Sequence, residues 1–160
     1  MRIAIASTGF ENNYSCFKES EPLYTVLKKK LLEVIWTSYK GGADSFYVNC
    51  EKGIPLMAAE IIASLKIYHD IELNIICPHE EQSANWSERT RERYFNVHQK
   101  ADEVTFAFKG YKASCYADTD RIIADECDGV ILFCSESEYS YIPKNAEFNN
   151  RPMQLIGVSR

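Results

Sequence analysis

The residues of this chain best placed to do chemistry fall in a few short clusters. Asn49-Cys50-Glu51-Lys52-Gly53 lies between an apolar run and the longest apolar stripe of helical spacing. A strand-to-helix turn of this kind leaves backbone N–H groups unpaired at a positive helix end, where anions settle. Gly53 lets a ligand approach the backbone, Lys52 adds a cation, and Glu51 opposes a phosphate. Ser7-Thr8-Gly9 offers two hydroxyls and a glycine after the first apolar run. Glu60 follows Ala58-Ala59 two turns into the helix, within reach of a ligand hydroxyl such as that of a ribose, or else faces solvent. Pro78, His79 and Glu80 close a third apolar run, and Trp86 either covers the crevice beyond it or packs a helix. Cys77, His79 and Glu80 are metal-ligating types, but no second cluster has metal spacing, so no metal or resident cofactor is expected. The histidines (His69, His79, His98) show no spacing that suggests a catalytic pair. A P-loop, a G-x-G-x-x-G fingerprint and a G-x-S-x-G elbow are all missing.

These clusters need a scaffold, and the alternation of β-rich runs with helical periods supplies one. Strands are predicted at 2–6, 45–50, 72–77 (stopped by Pro78), 103–108, 129–134 and 154–158. Helices are predicted from Pro22 to about Lys40, from about Gly53 to 65, from about Asn85 to 101 and over 116–127. Gly129 to Cys134 is nearly unbroken in apolar character, as for a central strand buried on both faces. The expectation is a single α/β domain over 1–160: a Rossmann-like three-layer sandwich with a mostly parallel central sheet. In such a sheet ligands bind beyond the carboxyl ends of the strands, which is where the clusters above fall.

Composition narrows the partners. The 160 residues carry 18 basic and 23 acidic side chains, for a net charge of −5, and no basic stripe of the kind that displaces counterions from duplex nucleic acid. The 6 cysteines form no C-x-x-C pair and several sit in apolar runs, which suits reduced thiols in a cytosolic protein. Met1-Arg2 leads straight into a strand-like run with no signal-peptide pattern, and no apolar stretch approaches a bilayer span. A cytoplasmic location without membrane attachment is expected; homo-oligomerisation is left open.

The order of the pieces resembles the YpsA-like family of the SLOG superfamily, which relates DprA/SMF proteins to LOG-type proteins. The family's G-[GM]-A-x-G-[VA]-D-x-[WI]-A-A-E corresponds to Asn49 through Glu60, and Leu65-Lys66 fits the lysine that follows. P-[FH]-x-x-Q corresponds to Pro78-His79-Glu80-Glu81-Gln82, followed by Trp86 and Tyr94. The "aD-x-V" motif appears as Ala101-Asp102-Glu103-Val104, and the closing D-x-[SC]-D as Asp125-Glu126-Cys127-Asp128. Several positions depart from the pattern. The family's T-G-[HY]-R reads Thr8-Gly9-Phe10-Glu11, its first two loop glycines are Asn49 and Cys50, and its helical Asp is Pro55. The R-N before the last helix is Thr119-Asp120, and Ser135-Glu136-Ser137-Glu138 replaces G-G-T. A loop that has lost an arginine and glycines and gained acids is expected to hold phosphate weakly.

The resemblance implies a pocket for a nucleotide-derived small molecule, in a sensor or ligand-binding role. Its contacts would be Ser7, Thr8, Gly9, Asn49, Cys50, Gly53, Glu60, Pro78, His79 and Trp86. Two alternatives stand beside it. One is a LOG-type hydrolase of nucleotide N-glycosidic bonds with Glu60 as its carboxylate, although the P-G-G-x-G-T-x-x-E signature is missing. The other is an interaction module with a degenerate pocket, contacting partners through Tyr139, Tyr141 and Phe148.

Overall fold

In the computed structural model, which describes residues 1–8, 19–135 and 151–158, six strands form one sheet. They are β1 (Arg2–Thr8), β2 (Ser45–Val48), β3 (Glu72–His79), β4 (Glu103–Phe108), β5 (Gly129–Ser135) and β6 (Met153–Val158), in the order β4-β3-β2-β1-β5-β6. Every pairing is parallel, so the sheet goes beyond the mostly parallel one expected. The helices are α1 (Pro22–Lys40), α2 (Ile54–Leu65), α3 (Glu88–Lys100) and α4 (Cys115–Glu126). The chain moves outward from β1 to β4 and then returns to β5 on the other side of β1. The strand order therefore reverses between β1 and β5, the position at which open α/β sheets form a crevice.

Period-two alternation divides each central strand between two cores. Ile3 and Ile5 of β1, Phe46 and Val48 of β2, and Ile131 and Phe133 of β5 face the larger core under α1, α2 and α3. Ala4, Ala6, Val130, Leu132 and Cys134 face a smaller one with Ile123 and Ala124 of α4. Helix α2 contacts both α1 and α3 as well as the sheet, which is why Ile54 to Ala59 and Ile61 to Ala63 are all buried. Among the described residues no helix is long and apolar enough to cross a membrane.

Three aspartates set strand register at the amino edge of the sheet. Asp102, just before β4, donates its N–H to Leu73 O (2.9 Å), and its carboxylate accepts from Leu73 N at 2.7 Å. Asp128, just before β5, does the same with Arg2, at 2.8 Å in each direction. Asp44, just before β2, reaches Met1 O at 3.1 Å and the Met1 amino group at 2.6 Å. The Asp102 and Asp128 carboxylates each satisfy a backbone donor near the start of the neighbouring strand. Lys66 also pairs with Asp102. Partial burial raises the Asp102 carboxyl, but Lys66 and the Leu73 N–H outweigh it and leave the group below the usual range. The two family motifs that contain Asp102 and Asp128 thus supply structural clasps, at the opposite edge from the carboxyl-end loops.

Some predicted boundaries moved. Strand β3 runs through Pro78 to His79 rather than stopping at Cys77. Its ladder with β2 ends at Val48↔Ile75, so the missing Pro78 N–H removes nothing on that side. Strand β2 ends at Val48, and Asn49-Cys50 leave the sheet. Helix α3 begins at Glu88, later than Asn85, because Ser87 caps it: its hydroxyl accepts from Thr90 N at 3.3 Å. Lys40-Gly41-Gly42 ends α1 as expected, with Gly42 at φ 103°.

Candidate functional site

The turn after β2 is held by its own side chains. Asn49 Oδ1 accepts from Glu51 N at 2.9 Å, and Asn49 Nδ2 donates to Asp120 Oδ1 on α4 at 3.0 Å. The buried Gln82 amide donates to Asn49 O at 3.2 Å, which joins the ends of β2 and β3. Cys50 adopts φ 55° without being glycine, at a cost of about 1–2 kcal/mol. This gives a physical reason for the glycine that the family pattern allows there. Burial pushes the Cys50 thiol well up, so it is an inert packing group and not a nucleophile.

Gly53 caps α2 at φ 107°, ψ −130°. The helix start offers fewer donors than a generic βα turn. Pro55 has no N–H, Leu56 N already donates to Glu51 O (3.1 Å) and Met57 N to Gly53 O (3.0 Å). Pro55 and Leu56 therefore present no free backbone N–H to an anion at this helix start.

Side chains supply the charge instead. A cleft of about 590 Å³ opens between the start of α2 and α3, lined by Lys52, Gly53, Trp86, Arg89 and Arg93, with Tyr24, Leu56 and Met57 as its apolar floor. The Lys52 ammonium lies 5.9 Å from the Trp86 ring centroid, a cation–π arrangement. Trp86 also packs edge-on against Tyr94, centroids 5.3 Å apart, so it both covers the cleft and anchors α3. Arg89 pairs with Glu19. Arg93 donates Nε and Nη2 to the two Glu60 oxygens at 2.7 and 2.8 Å. That bidentate bond holds the guanidinium more firmly protonated, despite an opposing burial effect.

The sequence-predicted residues separate into groups. Gly53 and Trp86 share the cleft. Asn49 and Cys50 form the turn beneath its rim. Glu60 lines a neighbouring cleft with Lys28, Leu32 and Asn96 and is hydrogen-bonded to Arg93 of the first. Ser7 and Thr8 end β1 opposite Phe133 and Cys134 of β5; Gly9 lies outside the described residues, as do Tyr139, Tyr141 and Phe148. Pro78 and His79 end β3, where the His79 ring is flanked edge-on by Tyr111 (5.6 Å) and Tyr116 (6.4 Å). His79 Nδ1 and Gln82 Oε1 are buried without a hydrogen-bond partner among the described residues. Sequence reading missed Arg89 and Arg93. Their i,i+4 spacing on one side of α3, beside Trp86 and Thr90, was the available signal.

One contact joins residues that sequence spacing did not connect. His98 Nε2 lies 3.6 Å from Cys77 Sγ, with the Tyr94 hydroxyl 3.4 Å from the same sulfur. Burial pushes the thiol up to about 11 and the imidazole down to about 4. Both groups are neutral, so this is a packed cluster and not a thiolate–imidazolium pair. It does carry a pH dependence. An unfolded chain takes up the His98 proton near 6.5, whereas the fold refuses it until about 4. Between those values the unfolded state binds more protons, so stability falls as pH drops through that window and levels off below it. Urea midpoints measured just above pH 6.5 and again at about pH 5 should therefore differ, and His98→Phe should shrink the difference. An undiminished difference in that variant would assign the effect to other groups.

The all-parallel six-stranded sheet with its four helices makes the described residues a Rossmann-like α/β fold. The YpsA family profile, described as the YspA SLOG family, matches residues 5–157, and the chain belongs to that family. It is 31% identical over 132 residues to a UPF0398 protein of Listeria monocytogenes, covering 81% of this chain and 73% of that one. A UPF0398 protein of Streptococcus mutans is 27% identical over 159 residues, covering 95% and 91%. One of Macrococcus caseolyticus is 27% identical over 144 residues, covering 88% and 78%.

Proposed function

We propose that this chain is a cytoplasmic ligand-binding or sensor protein, and that a nucleotide-derived small molecule of the ADP-ribose or NAD type occupies the Trp86 cleft. The observation that carries the reading is the grouping of Trp86, Lys52, Gly53 and the Arg89/Arg93 pair around a volume of about 590 Å³, within the range of small-molecule sites. A base stacks on the Trp86 ring, and Lys52 and the arginines surround the phosphates.

The hydrolytic alternative has less support. Both Glu60 oxygens accept hydrogen bonds from Arg93, which leaves no unengaged carboxylate oxygen to meet an anomeric carbon.

Thermal unfolding against AMP, ADP-ribose, NAD and cyclic nucleotides tests the proposal. A ligand at 100 times its Kd adds about 2.7 kcal/mol, which raises the midpoint by about 5–10 °C for a chain of this size. The expected result is such a shift with an ADP-ribose-type compound. A flat response across the panel would overturn the nucleotide reading and favour an interaction module.

A further inference from the structure

Glu60 is the only charged residue in α2, a helix otherwise almost wholly buried between α1, α3 and the sheet. Its side chain is 29% exposed and that of Arg93 19%, so each charge is partly desolvated and needs the other. A bidentate pair spans the α2–α3 seam and fixes the plane of the guanidinium through Nε and Nη2. Arg93 lines the Trp86 cleft and Glu60 does not. Nη1 makes no hydrogen bond to the described residues and is the guanidinium nitrogen left for a ligand.

From this geometry we infer that Glu60 is a positioning residue: it acts on an anionic ligand only through Arg93, which is the group that contacts the ligand's phosphate. The assignment rests on the ligand reading given above and replaces a Glu60–ribose contact with an Arg93–phosphate contact. It also fixes the sign of a substitution effect. Removing a negative charge beside an anion site tightens anion binding by Coulomb's law alone. Removing a positioning carboxylate loosens it, because the freed guanidinium spreads over several rotamers.

Isothermal titration of ADP-ribose and of pyrophosphate into the wild type, Glu60→Gln, Arg93→Gln and the double variant separates these cases. The expected result is that Glu60→Gln weakens both ligands about tenfold, a loss of about 1.4 kcal/mol. In the Arg93→Gln background the same change should cost nothing further. Glu60→Gln preserves side-chain size and Arg93→Gln shortens the side chain while keeping it polar, and the unliganded melting midpoint of each variant reports whether it folds. Unchanged or tighter binding by Glu60→Gln overturns the assignment, as does an equal further loss in the Arg93→Gln background. A loss for ADP-ribose with none for pyrophosphate restores the ribose contact. Failure of the wild type to bind ADP-ribose overturns the ligand reading and this assignment together, an outcome distinct from all the others.

Discussion

Gly53→Val should lower the stability of the unliganded protein by about 2–3 kcal/mol and abolish binding in the Trp86 cleft. Gly53 sits at φ 107°, ψ −130°, a combination that an L side chain rarely adopts and a β-branched one adopts least. The backbone has little room to relax, because the residues on its helical side, Ile54 to Ala59, are buried between neighbouring elements. The strain must either remain in the turn or displace the first turn of α2, and both distort the cleft wall that Gly53 forms. At about 2–4 °C per kcal/mol, the melting midpoint should fall by about 4–12 °C. Gly110→Ala is the control: an added Cβ there meets nothing within 4 Å, and its midpoint should stay put. Equal midpoints for the wild type and Gly53→Val would mean that the turn has a second accessible conformation.

Phe133→Ala should cost more, about 3–5 kcal/mol. Phe133 is fully buried in the middle of β5, paired on one side with Ser7 of β1 and on the other with Ile156 of β6. Its ring fills the larger core under the helices. Parallel strands on both flanks hold the backbone in place, so the cavity left by truncation cannot close by local collapse. Native domains are stable by only about 5–15 kcal/mol, so this one change removes a large share of the total. Urea unfolding measures it, with the transition moving to lower denaturant at an unchanged slope. Phe106→Ala on edge strand β4, where the side chain is 43% exposed, should move the transition far less. Comparable losses at the two sites would contradict the placement of Phe133 in the larger core.

Much of this framework was legible from the residues. The apolar run from Gly129 to Cys134 read as a strand covered on both faces, and its residues do divide between the two cores. The second βα turn stood out because glycine, lysine and a buried helix met there. What sequence could not supply was distance. Glu60 read as a ligand contact because its partner Arg93 lies 33 positions away on another helix. Cys77 and His98 looked unrelated for the same reason, though they touch across the seam between β3 and α3. Pro78 read as a strand stop because a lone sequence does not show that the neighbouring strand has already ended. Asp102 and Asp128 matched family motifs without revealing whether the motif served ligand or scaffold.

The reversal of strand order has a consequence for how the chain is made. Strand β1 is made before β5, which closes one of its two edges and whose partners lie 126 residues further along, as in Ile3↔Gly129. At about 5–20 residues per second, the Ile3–Ala6 edge waits about 6–25 s before its neighbour leaves the ribosome. During that interval β2 to β4 can assemble on the other flank with α1 to α3, since those pairings are between neighbours in sequence. The half-built sheet thus presents an apolar, unpaired border at what will become its centre. That border is the stretch a chaperone would shield, and the nascent chain is most exposed to mispairing just before β5 arrives.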